Sequence, residues 1–383
     1  MKFLEDLGKK ELDEKKVFLR VDFDVPVEAG KIKENFRIKA QKETIDYLAN
    51  NGAKVMLAGH ISSTDSFFSI AEEIGEIIGH TLTLVPHSEL NSIGSLFTEC
   101  PVLLLDNLRQ DSREEQNKDE FARGLSKGFD FYVNNDFAVC HRSHASVSAI
   151  TKYLPSYAGF LVKKEVENLS KAIKAPLEGK ILVVGGAKIS TKLPVIKNFL
   201  DKAEKVLIGG ALANNFFKEQ GVSVGSSVVD NSVTPNFLTP GVRKLILPED
   251  ILVSFDKTGE TTPESYPVKN LDPAGIIVDI GPETAKHFGE IIRNSSMVIW
   301  NGPMGLSEVE KFAGGTRVIA EAVTKAKYSI IGGGDTVAAV DKLGLLGKFS
   351  YVSTGGGAML AFLAGEELPG LRVLGYYPDQ SNQ

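Results

Sequence analysis

KILVVGGAKISTKLPVIKNFLDKAEKVLIGG, residues 180–210, holds the pattern that decides the fold. Ile181–Val184 is a short aliphatic run bounded by Gly185-Gly186, and it reads as a strand. Ile189, Leu193, Ile196, Leu200 and Ala203 then step by 4, 3, 4 and 3. That spacing predicts a helix from about Ile189 with one buried face. Lys205–Ile208 is the next strand, closed by Gly209-Gly210.

The same rhythm runs outward in both directions. Upstream, Val17–Val21, Lys54–Ala58, Thr81–Val85, Val102–Leu105 and Phe129–Val133 read as strands, and Phe36 to Asn51 as a helix carrying Ile38, Ile45, Leu48 and Ala49. Residues 134–155 have no clean period and read as long loops, and Phe160 to Ile173 reads as a helix charged on one side. Downstream, Ile251–Phe255, Gly275–Ile280, Met297–Trp300, Tyr328–Ile331 and Tyr351–Ser353 continue the strands. Strands alternating with helices predict an α/β protein with mostly parallel sheets. The pause before residue 160 divides it into two units, and Tyr377 to Gln383 reads as an exposed polar tail.

Composition narrows the function classes. The chain has 383 residues, 43 Lys plus Arg against 49 Asp plus Glu, and a formal charge of −6. That balance lacks the basic surface a nucleic-acid partner needs, so none is expected. The N-terminal MKFLEDLGKKELDEKK is broken by charges, without a stretch of signal-peptide length. No run of ~18 uncharged apolar residues suggests a membrane-spanning helix. Cys100 and Cys140 are too few for a disulfide framework and fit a reducing compartment, so a cytoplasmic location is expected.

Glycine clusters follow five strands of the second half: Gly185-Gly186, Gly209-Gly210, Gly302, Gly332–Gly334 and Gly355–Gly357. In a parallel sheet these turns share one edge, where ligands of open α/β sheets sit. Glycine allows close backbone approach and leaves N–H groups free at the next helix start; tight turns alone are the plainer explanation for any single cluster. Neither G-x-x-x-x-G-K-[ST] nor G-x-G-x-x-G occurs. Lys188 and Lys192 stand four apart at a helix start, against the dipole, which makes sense if an anion sits between amides and ammoniums. Asp335, opening a helix after three glycines, can hold Mg²⁺ on a nucleotide phosphate or serve as an ordinary cap. Arg20, Asp22, Asp24, Arg37, His60, Arg109, His141, Arg142 and His144 gather at strand ends or loops of the first half, and suit a small anion. Cys140-His141-x-x-His144 lacks the ligands of a zinc set. The residues therefore point to a small-molecule phosphotransferase with hinge closure.

RVDFDVP (20–26), the segment around Arg37, LLLDNLR (103–109), VNNDFAVCHRSHAS (133–146), AGFLVKKEVENLSKA (158–172), VGGAKISTKLPVI (184–196), VIWNGPMG (298–305), IIGGGDTVAAV (330–340) and VSTGGGAML (352–360) resemble phosphoglycerate kinase, in order, from about residue 15 to 375. The resemblance implies two Rossmann-like three-layer α/β/α domains with parallel sheets, joined by a helix and a hinge. Their expected bounds are 1–160 for the triose domain, with the tail 366–383 packing on it, 161–174 for the helix, and 175–365 for the nucleotide domain. It implies phosphoryl transfer between 1,3-bisphosphoglycerate and Mg-ADP by a monomer. Its matching residues place 3-phosphoglycerate on Asp22, Asp24, Arg37, His60, Arg109 and Arg142. ATP or ADP falls to Gly186, Lys192, Gly209, Gly210, Asn301, Gly302, Glu308, Gly333, Gly334, Asp335 and Thr336, with Glu308 at the ribose and Asp335 toward Mg²⁺. Transfer is expected from Arg37, Lys188 and Lys192, with amides at Gly334 and Gly357.

Departures from the family concentrate in the triose site. The usual asparagine after RVDF is Asp24, the usual SHLGRP is GHISST (59–64) with Ser63 in place of arginine, and the usual LRFH is LRQD with Gln110 and Asp111. The first two changes remove one positive charge and add one negative charge beside an anionic substrate, so a weakened triose site is expected. Elsewhere a family methionine is Leu212, and Pro194 follows the lysine pair. A non-catalytic nucleotide-binding relative, or a kinase of another small carboxylate, remain the competing readings.

Overall fold

The computed structural model describes residues 1–98, 100–232, 243–270 and 274–378. The chain forms two compact units, Met1–Glu167 with Glu367–Gln383, and Asn168–Glu366. The division falls within helix Phe160–Lys174.

The first unit is built on a six-stranded sheet in the order Thr83–Val85, Val102–Leu105, Lys54–Ala58, Lys16–Arg20, Phe131–Asn134, Ser156–Ala158. Every neighbouring pair is parallel. Alternate residues of a strand face opposite ways, so one run supplies two cores. Val17 and Leu19 join Ile38, Ile45 and Leu48 of helix Phe36–Asn50 on one face. Phe18 joins Phe121 and Leu125 of helix Asp119–Ser126 on the other. Burial on both faces explains why Val102–Leu105 is apolar without alternation. The stretch 134–155, read as long loops, closes into short turns at Phe137–Val139 and Ala149–Lys152, and the edge strand Ser156–Ala158 that follows is too short for its period to show. Late in the chain, Leu368 and Leu371 are buried and Gly370 N–H donates to Cys140 O at 2.9 Å.

The second unit carries a six-stranded parallel sheet in the order Leu245–Ile246, Lys205–Ile208, Lys180–Val184, Met297–Asn301, Ser329–Gly332, Tyr351–Ser353. Numbered along the chain this is 3-2-1-4-5-6, the doubly wound order of nucleotide-binding folds, and its reversal lies between Lys180–Val184 and Met297–Asn301. The helix foreseen from Ile189 spans Ile189–Phe199. Two strands depart from the foreseen pattern. Asp250–Ser254 and Ile276–Ile280 leave the parallel sheet and pair antiparallel, with Glu264–Pro267, in a separate three-stranded sheet. Their half-buried faces match a sheet with one side toward solvent, which single-strand patterns cannot distinguish from a continuing βα rhythm. Among the described residues no helix is long and apolar enough to cross a membrane.

Candidate active site

In the first unit the polar residues gather beyond the carboxyl ends of the central strands. Arg20, the last residue of its strand, is fully buried and pairs with buried Asp136 at 2.7 Å. It also donates to Val21 O at 2.6 Å and Ser146 Oγ at 3.0 Å. Its Nη2 lies 3.0 Å from His60 Nδ1. Arginine only donates, so Nδ1 is the acceptor and the His60 proton sits on Nε2. That Nε2 faces Asp24 Oδ2 at 3.3 Å. Burial and the Arg20 charge lower the His60 pKa, and keep the ring neutral.

Asp24 also accepts from Ser62 N–H at 2.7 Å and Ser62 Oγ at 3.2 Å. Burial works against its charge, yet the His60 and Ser62 hydrogen bonds hold its pKa below the usual carboxylate range. Ser63 turns its hydroxyl to Val25 O at 2.8 Å. The added negative charge is thus partly compensated from within the unit. Gln110 is likewise committed, donating to Asp65 O and Asp106 Oδ2.

Asp22 is 1% exposed. Its Oδ1 accepts from Asp24 N–H and lies 3.6 Å from Arg37 Nη1, while its buried Oδ2 has no hydrogen-bond partner. Burial pushes this carboxyl up to about 7 against the pull of Arg37. Arg37 also donates to Asp24 O at 3.1 Å, which ties it to the same loop. Arg109 donates to Ser62 Oγ at 2.8 Å and lies 3.2 Å from Glu115. Arg142 is exposed, with Nε 3.3 Å from His141 Nε2. Two participants escaped the sequence reading. Asp136 balances Arg20, and buried Glu114 accepts from Ser146 N–H and Oγ. Asp136 lies within the quoted segment 133–146 and Glu114 in none, but neither shows its partner locally, because each acts on a residue far along the chain.

In the second unit the five glycine turns all end strands of the parallel sheet, and they divide by what fills the space beside them. A Cβ on Gly302 would lie 2.3 Å from Gly185 O, and one on Gly185 would lie 2.1 Å from Pro303 O. At the strand reversal, backbone therefore packs on backbone. A Cβ on Gly209 would strike Met304, and one on Gly332 would strike Met359. Gly334 and Gly356 have open space instead. Open space thus remains beside Gly334 and Gly356, whereas the positions beside Gly185, Gly209, Gly302 and Gly332 are filled by neighbouring backbone or methionine side chains. Asn301 donates to Gly332 O at 2.9 Å, and Thr336 accepts from Gly302 N–H at 2.7 Å, so both side chains brace the reversal.

A cavity of about 490 Å³ opens at this edge. Of the foreseen nucleotide residues, Gly186, Gly210, Glu308 and Asp335 line it, whereas Lys192, Gly209, Asn301, Gly302, Gly333, Gly334 and Thr336 do not. Its apolar wall includes Phe217, Val228, Ile251 and Ile276, which have no motif and come partly from the antiparallel sheet. Lys192 is 8% exposed and burial lowers its pKa, an effect that Asp335 opposes. Gly186 makes room for it, since a Cβ there would lie 2.7 Å from Lys192 Nζ. Lys188 is exposed at the N-cap. The anion on this helix start is internal: Asp230 Oδ2 accepts from Ile189 N–H at 3.1 Å and Ser190 N–H at 3.5 Å. Asp335 is exposed on the first turn of helix Gly334–Lys342. Among the described residues no cluster of three His, Cys, Asp or Glu could hold a metal. A single hard carboxylate fits Mg²⁺ carried on nucleotide phosphates, which needs only one or two protein oxygens.

Known proteins match this arrangement along the whole chain. The phosphoglycerate kinase family model matches residues 4–366. Phosphoglycerate kinase of Moorella thermoacetica is 39% identical over 381 residues, covering 95% of this chain and 97% of that one. That of Pseudothermotoga lettingae is 41% identical over 383 residues, covering 95% and 96%. Among solved structures, phosphoglycerate kinase from Pyrococcus horikoshii superposes with a TM-score of 0.87 at 33% identity, covering 98% of each chain. The Coxiella burnetii enzyme does so with 0.81 at 32%, covering 97% and 98%. With a doubly wound second unit, a buried Arg–His–Asp network in the first and full-length identity of this order, the chain belongs to the phosphoglycerate kinase family of phosphotransferases.

Proposed function

We propose that the chain transfers a phosphoryl group reversibly between 1,3-bisphosphoglycerate and Mg-ADP, with 3-phosphoglycerate held by the first unit and the nucleotide by the second. The observation that carries this reading is Asp22, whose buried Oδ2 lacks a donor beside Arg37. A substrate hydroxyl supplies that donor, and an adjacent carboxylate or phosphate suits the guanidinium. His60, Arg109 and Arg142 complete the anion site, and Asp24 shapes it through Ser62. Ser63 offers no charge where the family resemblance leads one to expect arginine, so triose affinity is lowered.

The apolar cavity suits a nucleoside, with Glu308 accepting from ribose hydroxyls and Gly186 and Gly210 close to the phosphates. Gly209, Asn301, Gly302, Gly333 and Thr336 act on the nucleotide through the backbone they brace. Asp335 would hold Mg²⁺, which when bound neutralises phosphate charge. Arg37, Lys188 and Lys192 stabilise the charge spread over the migrating phosphoryl oxygens, helped by N–H groups at Gly334 and Gly357. The acceptor carboxylate is already ionised near neutral pH, so no general base is required. The free thiols Cys100 and Cys140 suit the cytoplasm, and the resemblance suggests a monomer.

A coupled assay of ATP-dependent phosphorylation of 3-phosphoglycerate tests the proposal. Turnover is expected for the wild type and its near-complete loss for Lys188→Ala. Absence of turnover, or an unimpaired variant, refutes it.

A further inference from the structure

Four helices follow glycine turns of the second unit's parallel sheet, and one start differs from the rest. None of the four N-cap residues, Gly209, Gly333, Gly356 and Lys188, caps its helix with its own side chain. Ile189–Phe199 has Lys188 at its N-cap, a residue that cannot accept hydrogen bonds from the orphan amides. Asp230, distant in sequence, supplies that acceptor to Ile189 and Ser190. The carboxylate is itself held on several sides. Its other oxygen, Oδ1, accepts from Ser232 N–H at 3.0 Å and Ser232 Oγ at 2.5 Å. Asn215 clamps the backbone of Asp230 from both sides, donating to its O at 2.6 Å and accepting from its N–H at 3.2 Å. Asn214 donates to Val228 O at 2.9 Å, and Val228 lines the cavity. A short strap thus joins the cavity wall to the start of the lysine helix.

We propose that Asp230 is a positioning residue for Lys188 and Lys192: it anchors the first turn that carries them and occupies its amides. Phosphates then meet the ammoniums rather than the helix start, and the cavity wall at Val228 and the lysines share one support. This inference rests on the phosphate role given to the two lysines above. Loss of the cap lets the first turn fray, which misplaces both ammoniums without touching the triose site.

The full-length enzyme with Asp230→Ala tests it. At saturating substrates kcat is expected to fall roughly five- to twentyfold, as for a lost cap at a site where small misplacements are costly. The KM for 3-phosphoglycerate stays unchanged. Asp230→Asn, whose amide oxygen still accepts, recovers kcat to within about threefold of wild type. Hydrogen exchange at Ile189 and Ser190 speeds up in the alanine variant and stays slow in the asparagine variant. Wild-type kcat in Asp230→Ala overturns the proposal, and so does equal loss in both variants. If instead Lys188→Ala and Lys192→Ala keep full activity, the reading of the lysines fails, and the exchange rates alone decide whether Asp230 anchors the turn.

Discussion

Asp24 and His60 face one another at 3.3 Å, and the histidine presents its N–H to the carboxylate because Arg20 occupies the other ring nitrogen. The Asp24 charge is therefore met by a neutral ring and by the Ser62 amide. Asp24→Asn is expected to lower the KM for 3-phosphoglycerate only about two- to threefold, because the carboxylate has compensating donors. Ser63→Arg restores a full charge-assisted contact and is expected to lower it about tenfold or more. Steady-state kinetics on the two single variants decides this. The charge account fails if neither moves KM.

Arg20 and Asp136 are both fully buried and 2.7 Å apart. Asp136→Ala strands a buried guanidinium, which typically costs about 3–5 kcal/mol. The urea midpoint of the variant should drop accordingly. A fall of under about 1 kcal/mol would mean that water or another acid reaches Arg20.

Asp22 titrates near 7 in the folded chain, against an ordinary value of 3.8. Its folded pKa is raised, so its contribution to stability is complete below about pH 4 and is lost as pH rises through about 7. Asp279, buried and raised to about 7 by desolvation, acts in the same direction. Urea midpoints between pH 4 and 8 should therefore contain a falling component that Asp22→Asn flattens in part. An unchanged slope in that variant would show that Asp22 is ionised throughout.

Two glycines of similar appearance should behave oppositely. Gly302→Ala, at φ +92° with a Cβ 2.3 Å from Gly185 O, is expected to destabilise by about 2–4 kcal/mol. Gly334→Ala has open space and should leave the melting temperature within a degree or two, while raising the KM for ATP severalfold through loss of close approach. Thermal melts paired with kinetics distinguish them. Similar melting temperatures would remove the distinction between a glycine held by packing and one beside open space.

What could be read from the sequence was whatever repeats locally. Ile189, Leu193 and Ile196 showed their helix by spacing, though it stops at Phe199, before Leu200 and Ala203, and the glycine doublets marked strand ends, because both signals lie within a few residues. Partners that meet only after folding were silent. Arg20 finds Asp136 across 116 positions, and Asp230 finds Ile189 across 41, and no local pattern ties the two ends of either pair together. The antiparallel strands Asp250–Ser254 and Ile276–Ile280 were visible as strands but not as a second sheet, since pairing direction leaves little trace in a five-residue run. The cavity's apolar wall stayed hidden because Phe217 and Val228 look like ordinary core residues.

Leu368 and Leu371 complete the interior of a unit that began at Met1, and the terminal amine of Met1 donates to Gly375 O at 2.8 Å. Synthesis on the ribosome thus runs against the architecture. Residues 168–366 emerge as one uninterrupted stretch, whereas the opening portion lacks part of its interior until residues beyond 366 have been translated. Protease digestion of a chain halted at Glu366 should accordingly degrade the early portion and spare the later one.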